Sequence, residues 1–189
     1  MKVLAIRHGE PNYVNADKIL QEIERTEVTN FPDPKLTPKG KTQIKSLAEN
    51  LKKYNITAIY CSPAKRARES AEIIAEKLGI KITIEPLINN ITFETKIIKE
   101  IIIKRLEGKT NWQDEWLNNN PGFSESPAEY QQRVKKMIQK TRQLHPNDTI
   151  LLVAHEETVW SFLAQTKGIP FSEAVKTKVD YASLTELEF

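Results

Sequence analysis

Several residue types and patterns are scarce in this chain of 189 residues, and each scarcity excludes a class of protein. Cys61 is the only cysteine, which excludes an intrachain disulfide and favours a reducing cytoplasm as the compartment. The three histidines and the cysteine form no group with metal-ligand spacing, so no metal site is predicted. No apolar run approaches the roughly 18 residues that span a bilayer, and the N-terminal run at residues 3–6 is too short for a signal peptide.

The chain also has little net charge, because its 28 basic residues are nearly balanced by 25 acidic ones. The basic residues are spread along the chain without interleaved aromatics, which excludes a nucleic-acid surface. Apolar residues make up 39% of the chain and charged residues 28%, which is a globular composition. The length suits a single domain over residues 1–189 with a hydrophobic core of its own.

Short apolar runs alternate with amphipathic segments along the chain. Strands are predicted at residues 3–6, 57–61, 81–84 and 149–154, and the C-terminal SLTELEF alternates as an edge strand does. Helix starts are predicted at Thr37-Pro38, at Ser62-Pro63, at the capping box of residues 126–129, and directly after Ala154. This alternation predicts an α/β fold, a three-layer sandwich with a largely parallel central sheet flanked by helices.

Residues 91–122 fit the alternation less well. The segment KIIKEIIIKRL, residues 96–106, is predicted as a helix, and NWQDEWLNNNPGF, residues 111–123, as a polar loop with two tryptophans. We predict that residues 91–122 form an insertion or lid of the single domain.

Polar residues follow three of the predicted strands at the point where each strand ends. In chain order they are Arg7, His8 and Gly9; Ser62 and Arg66; and His155, Glu156 and Glu157. In an open α/β sheet, ligands bind beyond the carboxyl ends of the strands, so two histidines and two arginines are expected at one rim. Phosphoryl transfer suits this group, because arginine forks match phosphate oxygens and a neutral imidazole can form a covalent phospho-intermediate. Gly9 would let the backbone pass close to the phosphate.

Five stretches of the chain together resemble the histidine phosphatase superfamily, the group that includes cofactor-dependent phosphoglycerate mutases. RHGE, LTPKGKTQ, CSPAKRARESAEIIA, SESPAEYQQRV and LLVAHE occur in the family's order, with Ser70 and Ser124 where threonine and glycine are usual. The resemblance implies that His8 is the phosphorylated nucleophile and that Arg7 and Arg66 bind the phosphoryl oxygens. His155 would be the second pocket histidine, and no metal or organic cofactor is implied.

The resemblance leaves the general acid open. Asn89 or Asn90 lies where the mutase-like branch has a glutamate, and an amide cannot donate a proton as a carboxylic acid does. Glu156 lies where the acid-phosphatase branch has an aspartate, and is the first candidate; Glu94 is the second and Glu10 the third. The remaining alternative is that no protein acid acts, which suits good leaving groups such as phosphohistidine.

The sequence therefore predicts a metal-independent cytoplasmic phosphatase that acts on phosphate esters of small molecules or on phosphoproteins. Glu10 and Asn15 complete the predicted substrate-binding residues. The family's phosphate-contacting asparagine usually lies a little nearer the histidine than Asn15 does, and Asn12 is the other candidate. A catalytically weak relative that binds phosphorylated ligands is the alternative, and a mutase is a less favoured one. No membrane partner is predicted, and the sequence carries no signal of oligomeric state.

Overall fold

The computed structural model describes residues 1–12, 33–92 and 112–189. The predicted helix at residues 96–106 and the candidates Asn15 and Glu94 lie outside these ranges. No helix in the described ranges is long and apolar enough to cross a membrane.

A largely parallel sheet forms the centre of the described structure. Its five strands are β1 (Lys2–Arg7), β2 (Ile56–Cys61), β3 (Ile82–Ile84), β4 (Thr149–Ala154) and β5 (Leu184–Glu188), in the spatial order β3-β2-β4-β1-β5. β1 and β2 both pair in parallel with β4, β2 pairs in parallel with β3, and β5 is antiparallel to β1 at the edge. The predicted α/β fold and the predicted edge strand are confirmed.

The helices of the described ranges are α1 (Pro38–Leu51), α2 (Lys65–Leu78), α3 (Trp112–Leu117), α4 (Pro127–Leu144), α5 (Glu156–Lys167) and α6 (Phe171–Ala174), with a 3₁₀ turn at Pro86–Ile88. α1 begins where the sequence predicts, because the Thr37 side chain accepts a hydrogen bond from the Gly40 N–H. The capping box before α4 is also present, since the Glu129 carboxylate accepts from the Ser126 N–H at 2.7 Å.

The prediction that Ser62 caps α2 is wrong. α2 begins at Lys65, and its N-cap position is Ala64, which has no side-chain capping bond. The Ser62 hydroxyl lies instead 2.8 Å from a ring nitrogen of His155. The same oxygen accepts from the Ala64 N–H at 3.3 Å, so its partners lie outside the first turn of α2.

Two compact units divide the chain. The first comprises residues 1–12, 34–90 and 132–189 and holds all the strands named above. Its core on one face of the sheet joins apolar residues of α1 and α2, including Ile44, Leu51 and Ile74, to Leu4 and Leu151 of the central strands.

The second unit comprises residues 13–33 and 91–131. The predicted polar loop is wrong in part, because Trp112–Leu117 is a helix and Trp112 and Trp116 are buried. The Trp116 indole N–H donates to the Glu125 carbonyl at 2.9 Å, and its ring meets the edge of Tyr130 at 5.5 Å. Tryptophans four residues apart lie on one side of a helix, which explains their shared burial. The insertion or lid at residues 91–122 stays a prediction.

His145 is not the solvated loop residue that its polar turn suggests. One ring nitrogen lies 2.9 Å from the Tyr60 hydroxyl and the other 2.9 Å from an oxygen of Asp148. These contacts fix the turn between α4 and β4.

Candidate active site

The pairing of β1 with β4 brings two histidines together. Arg7 pairs with Ala154 at the strand ends, and the next N–H, that of His8, donates to the Ala154 carbonyl at 3.0 Å. His8 and His155 each follow directly after their strand, and their ring centroids are 5.2 Å apart in an edge-to-face arrangement. Both are buried, with 4% and 2% of their surface exposed. Parallel register therefore sets the separation of the two rings.

Arg66 bridges the two histidines from the first turn of α2. Its Nε donates to Nε2 of His8 at 3.1 Å, and its Nη2 lies 3.3 Å from Nδ1 of His155. The arginine is itself 4% exposed. A buried, permanently charged fork between two imidazoles is suited to bind an oxyanion that enters between them.

The hydrogen bonds of His8 fix its proton. Nδ1 lies 2.7 Å from the Gly9 carbonyl, which can only accept, so Nδ1 carries the hydrogen. Nε2 receives the Arg66 donor and therefore presents a lone pair. Burial, followed by the charge of Arg66, holds the pKa of His8 well below its usual range. His8 is thus a neutral imidazole with its free electron pair on Nε2, the form that a nucleophile needs.

The hydrogen bonds of His155 fix its proton in the same way. Nδ1 accepts from Arg66, and Nε2 donates to the Ser62 hydroxyl, which in turn donates to Oδ1 of Asn89 at 3.2 Å. The Asn90 N–H also donates to this Oδ1 at 2.9 Å, which identifies the atom as the amide oxygen. Burial, and then the charge of Arg66, lowers the pKa of His155 well below its usual range.

Arg133 holds the segment that carries Asn89. Its Nη1 donates to the Leu87 carbonyl at 2.6 Å and its Nη2 to the Asn89 carbonyl at 2.8 Å. These two bonds hold Asn89, the last member of the hydrogen-bonded series His155–Ser62–Asn89. They give a physical role to Arg133, the arginine of the SESPAEYQQRV stretch.

Arg7 is held on three sides. Its Nη1 donates to the Val179 carbonyl at 2.5 Å and lies 2.9 Å from a Glu156 oxygen, while the Tyr181 ring covers the guanidinium at 4.2 Å. Its Nε is buried and has no protein partner among the described residues. A buried donor of this kind fits an oxyanion, and the Nε–Nη2 edge offers two parallel N–H groups to it.

Gly9 and Glu10 connect the end of β1 to α1. A side chain on Gly9 would lie 2.6 Å from the Gly40 carbonyl, so close packing of two backbones accounts for this glycine. The Glu10 N–H donates to Gln43 at 3.0 Å, and its carboxylate accepts from Thr37 at 3.0 Å and from Lys39 at 2.7 Å. The LTPKGKTQ stretch therefore anchors the segment that carries His8.

The acid candidates differ in their surroundings. Hydrogen bonds from Lys39 and then Thr37 lower the pKa of Glu10, so this carboxyl is a poor proton donor. Glu156 is ion-paired with Arg7, and Asn89 is bound to Ser62.

Within the ranges that the structure describes, no three metal-ligating side chains form a cluster.

Sequence reasoning missed Tyr181 at this site and gave no role to Glu157. The Tyr181 ring centroid lies 5.6 Å from that of His8, although the two residues are far apart in the chain and no motif marks the tyrosine. Glu157 is 5% exposed, and its Oε2 has no hydrogen-bond partner in the part of the chain described. Only its place two residues after His155 could have drawn attention to it.

Comparisons with known proteins show several chains of similar sequence and fold. A phosphoserine phosphatase 1 of Hydrogenobacter thermophilus is 27% identical over 186 residues, covering 97% of this chain and 84% of the relative. A "Probable phosphoglycerate mutase GpmB" of Shigella boydii is 26% identical over 193 residues, covering 100% and 85%. The crystal structure of the α-ribazole phosphatase of Shigella flexneri has the same fold, with a TM-score of 0.74 and 22% identity over 100% of this chain and 90% of that one.

The family assignment rests on a match over nearly the whole chain. The sequence model of the histidine phosphatase superfamily, branch 1, matches residues 3–189, which confirms the family predicted from the motifs. The relative named as a phosphatase agrees with the predicted phosphatase class, and the relative named as a probable mutase corresponds to the less favoured alternative. The chain belongs to branch 1 of the histidine phosphatase superfamily.

Proposed function

We propose that this protein is a metal-independent phosphatase that hydrolyses phosphomonoesters through a covalent phosphohistidine on His8. One observation carries the proposal: the lone pair on Nε2 of His8 faces a buried arginine that also contacts a second histidine. This arrangement supplies a nucleophile and the positive charge that three phosphoryl oxygens need.

The reaction has two displacement steps. The substrate phosphoryl group is bound by the Nε–Nη2 edge of Arg7 and by Arg66, which turns its donors from the imidazoles to the oxygens. Nε2 of His8 attacks phosphorus while the bond to the leaving oxygen breaks, and that oxygen takes up a proton from water. The Nδ1–H bond to Gly9 persists and stabilises the phosphorylated ring. Water then attacks phosphorus, loses a proton, and releases phosphate and neutral His8.

His155 acts as a neutral partner in this pocket. Its Nε2 proton is committed to Ser62, so its Nδ1 faces Arg66 and the incoming phosphoryl group. A proton carried by the bound phosphoryl group can be shared with this Nδ1. Glu156 serves to hold Arg7 in this proposal, because its carboxylate lies on the Nη1 group that does not face the substrate.

The substrate class is a phosphate ester of a small molecule or a phosphoprotein. The relative named as a phosphoserine phosphatase supports a small phosphomonoester. An asparagine, Asn89 or Asn90, in the place of the mutase glutamate favours leaving groups that depart without a protein acid, and phosphohistidine belongs to this class. The same asparagine supports the alternative function, a catalytically weak member that binds phosphorylated ligands. Cytoplasmic location stays a prediction from the single cysteine.

A rapid-quench experiment separates these functions. With a ³²P-labelled aryl phosphate, we expect a phosphoenzyme that is acid-labile and base-stable, as a phosphoramidate is, and turnover that survives a metal chelator. His8→Ala should lose both the label and turnover, whereas the matched control His145→Ala should keep them. Saturable phosphate binding with no covalent label would support the binding alternative. An acid-stable label, or activity lost on chelation and restored by a divalent metal, would overturn the mechanism.

A further inference from the structure

Tyr181 lies against both residues that open the RHGE motif. Its ring is 4.2 Å from the Arg7 guanidinium carbon, and its centroid is 5.6 Å from the His8 centroid at an interplanar angle of 35°. The tyrosine is half-buried in the segment before β5. Its ring thus lies against one cation and one imidazole that the proposed reaction uses.

The backbone around Tyr181 is tied to the same two residues. The Ala182 N–H donates to the carbonyls of both Arg7 and His8, each at 3.1 Å, and the Val179 carbonyl accepts from Arg7. Ala182 has a φ of 56°, in the left-handed region that is unfavourable for a residue with a side chain. The Trp160 indole also donates to the Thr177 carbonyl at 2.9 Å, which anchors the start of this segment. The strained alanine turns the chain so that the tyrosine ring meets Arg7.

We propose that Tyr181 is a positioning residue, whose ring fixes the plane of the Arg7 guanidinium so that the Nε–Nη2 edge faces the phosphoryl group. This inference rests on the proposed function and adds a residue that neither the motifs nor the family match assigns.

The geometry of Arg7 explains why a ring is needed. Nη1 contacts Val179 and Glu156, so the polar contacts hold one end of the guanidinium. The Tyr181 ring packs against the guanidinium carbon, away from that end, and the attraction between cation and ring adds to the packing. Two parallel N–H groups bind two phosphoryl oxygens only while the plane is held.

The test compares Tyr181→Leu with the matched control Tyr181→Phe. Leucine keeps apolar volume but removes the aromatic face, and phenylalanine keeps the face without the hydroxyl. For Tyr181→Leu we expect inorganic phosphate to bind about tenfold more weakly and kcat/KM for an aryl phosphate to fall by a similar factor, the order of a partly desolvated cation–π contact. For Tyr181→Phe both quantities should stay within about twofold of the wild type. If Tyr181→Leu lowers the melting temperature too far, Tyr181→Met carries the same comparison.

A double-mutant cycle on phosphate binding distinguishes a positioning role of Tyr181 from a purely structural one. In an Arg7→Gln background, Tyr181→Leu should weaken phosphate binding by less than about twofold, because the group that the ring positions is gone. Equal losses in both backgrounds, wild-type binding in Tyr181→Leu, or a Tyr181→Phe as weak as Tyr181→Leu would each overturn the proposal. Phosphate binding also separates the role of Tyr181 from the proposed phosphatase function. If the protein binds phosphate but forms no phosphoenzyme, the proposed function is wrong, and the binding measurements still test whether Tyr181 positions Arg7.

Discussion

Replacement of the buried Glu157 by glutamine should make the protein more stable in a way that depends on pH. Glu157 lies in the first turn of α5, is 5% exposed, and has one oxygen without a hydrogen-bond partner in the described ranges. Burial, and then the negative charge of Glu156, raises the pKa of its carboxyl from 4.5 to about 7. Glutamine keeps the shape of the side chain and cannot ionise.

The sign and the size of the effect follow from proton linkage. Between pH 4.5 and about 7 the folded protein holds a proton on Glu157 that the unfolded chain has lost, so the free energy of unfolding falls as the pH rises through this range. The difference of 2.5 pH units between 4.5 and about 7, at about 1.4 kcal/mol each, corresponds to roughly 3 kcal/mol. The penalty is absent below pH 4.5, is complete above pH 7, and does not exist in Glu157→Gln.

Urea denaturation at pH 4.5 and pH 8 measures this difference. The quantity to compare is the free energy of unfolding of Glu157→Gln minus that of the wild type. We expect this difference to be larger by about 2–3 kcal/mol at pH 8 than at pH 4.5. Any constant cost of the glutamine amide cancels in that comparison. The exposed Glu173→Gln serves as the control and should follow the wild type at both pH values. The reasoning is refuted if the Glu157→Gln difference is the same at the two pH values.

Three further substitutions test the site. Arg66→Lys keeps the charge but cannot bridge two imidazoles, so kcat should fall by about 10²–10³ in steady-state assays. A loss below tenfold would show that the Arg66 guanidinium is not needed in the mechanism. Ser62→Ala takes away the acceptor of the His155 Nε2 proton but leaves the Arg66 donor on Nδ1, so ¹⁵N NMR should show the Nε2–H tautomer retained, and a mixture of ring tautomers would contradict the role given to Arg66. Glu156→Gln should slow alkyl and activated aryl phosphates by the same factor because it loosens Arg7, whereas a loss confined to alkyl phosphates would identify Glu156 as the acid.

The fold and the meeting of the two histidines could be predicted because they depend on local patterns. Buried parallel strands are short apolar runs, and the residues that directly follow them meet at one edge of the sheet. His8 and His155 illustrate this, since each follows its strand and register alone brings their rings to 5.2 Å. The helix starts at Thr37 and Ser126 were similarly local, because a cap involves residues within one turn.

The remaining contacts could not be predicted because they join distant parts of the chain. Tyr181 reaches Arg7 only through the turn at Ala182, and no spacing in the sequence encodes a left-handed alanine. Ser62 has the residue type of a helix cap, but its hydroxyl contacts His155, which directly follows the neighbouring strand. Trp112 and Trp116 look exposed among polar neighbours, yet their four-residue spacing places both on the buried side of a short helix. Local composition is a poor guide where tertiary partners decide the environment.

The hydrogen bond from the His8 N–H to the Ala154 carbonyl continues the β1–β4 ladder one residue beyond the strand. Opening that bond requires separation of two central strands, so exchange of the His8 amide with deuterium should be as slow as exchange in the core of the sheet. The Arg66 side chain has no such backbone restraint, since it approaches the pocket from a helix. We therefore expect the nucleophile to open as slowly as the central strands, so that adjustment to a substrate falls to Arg66.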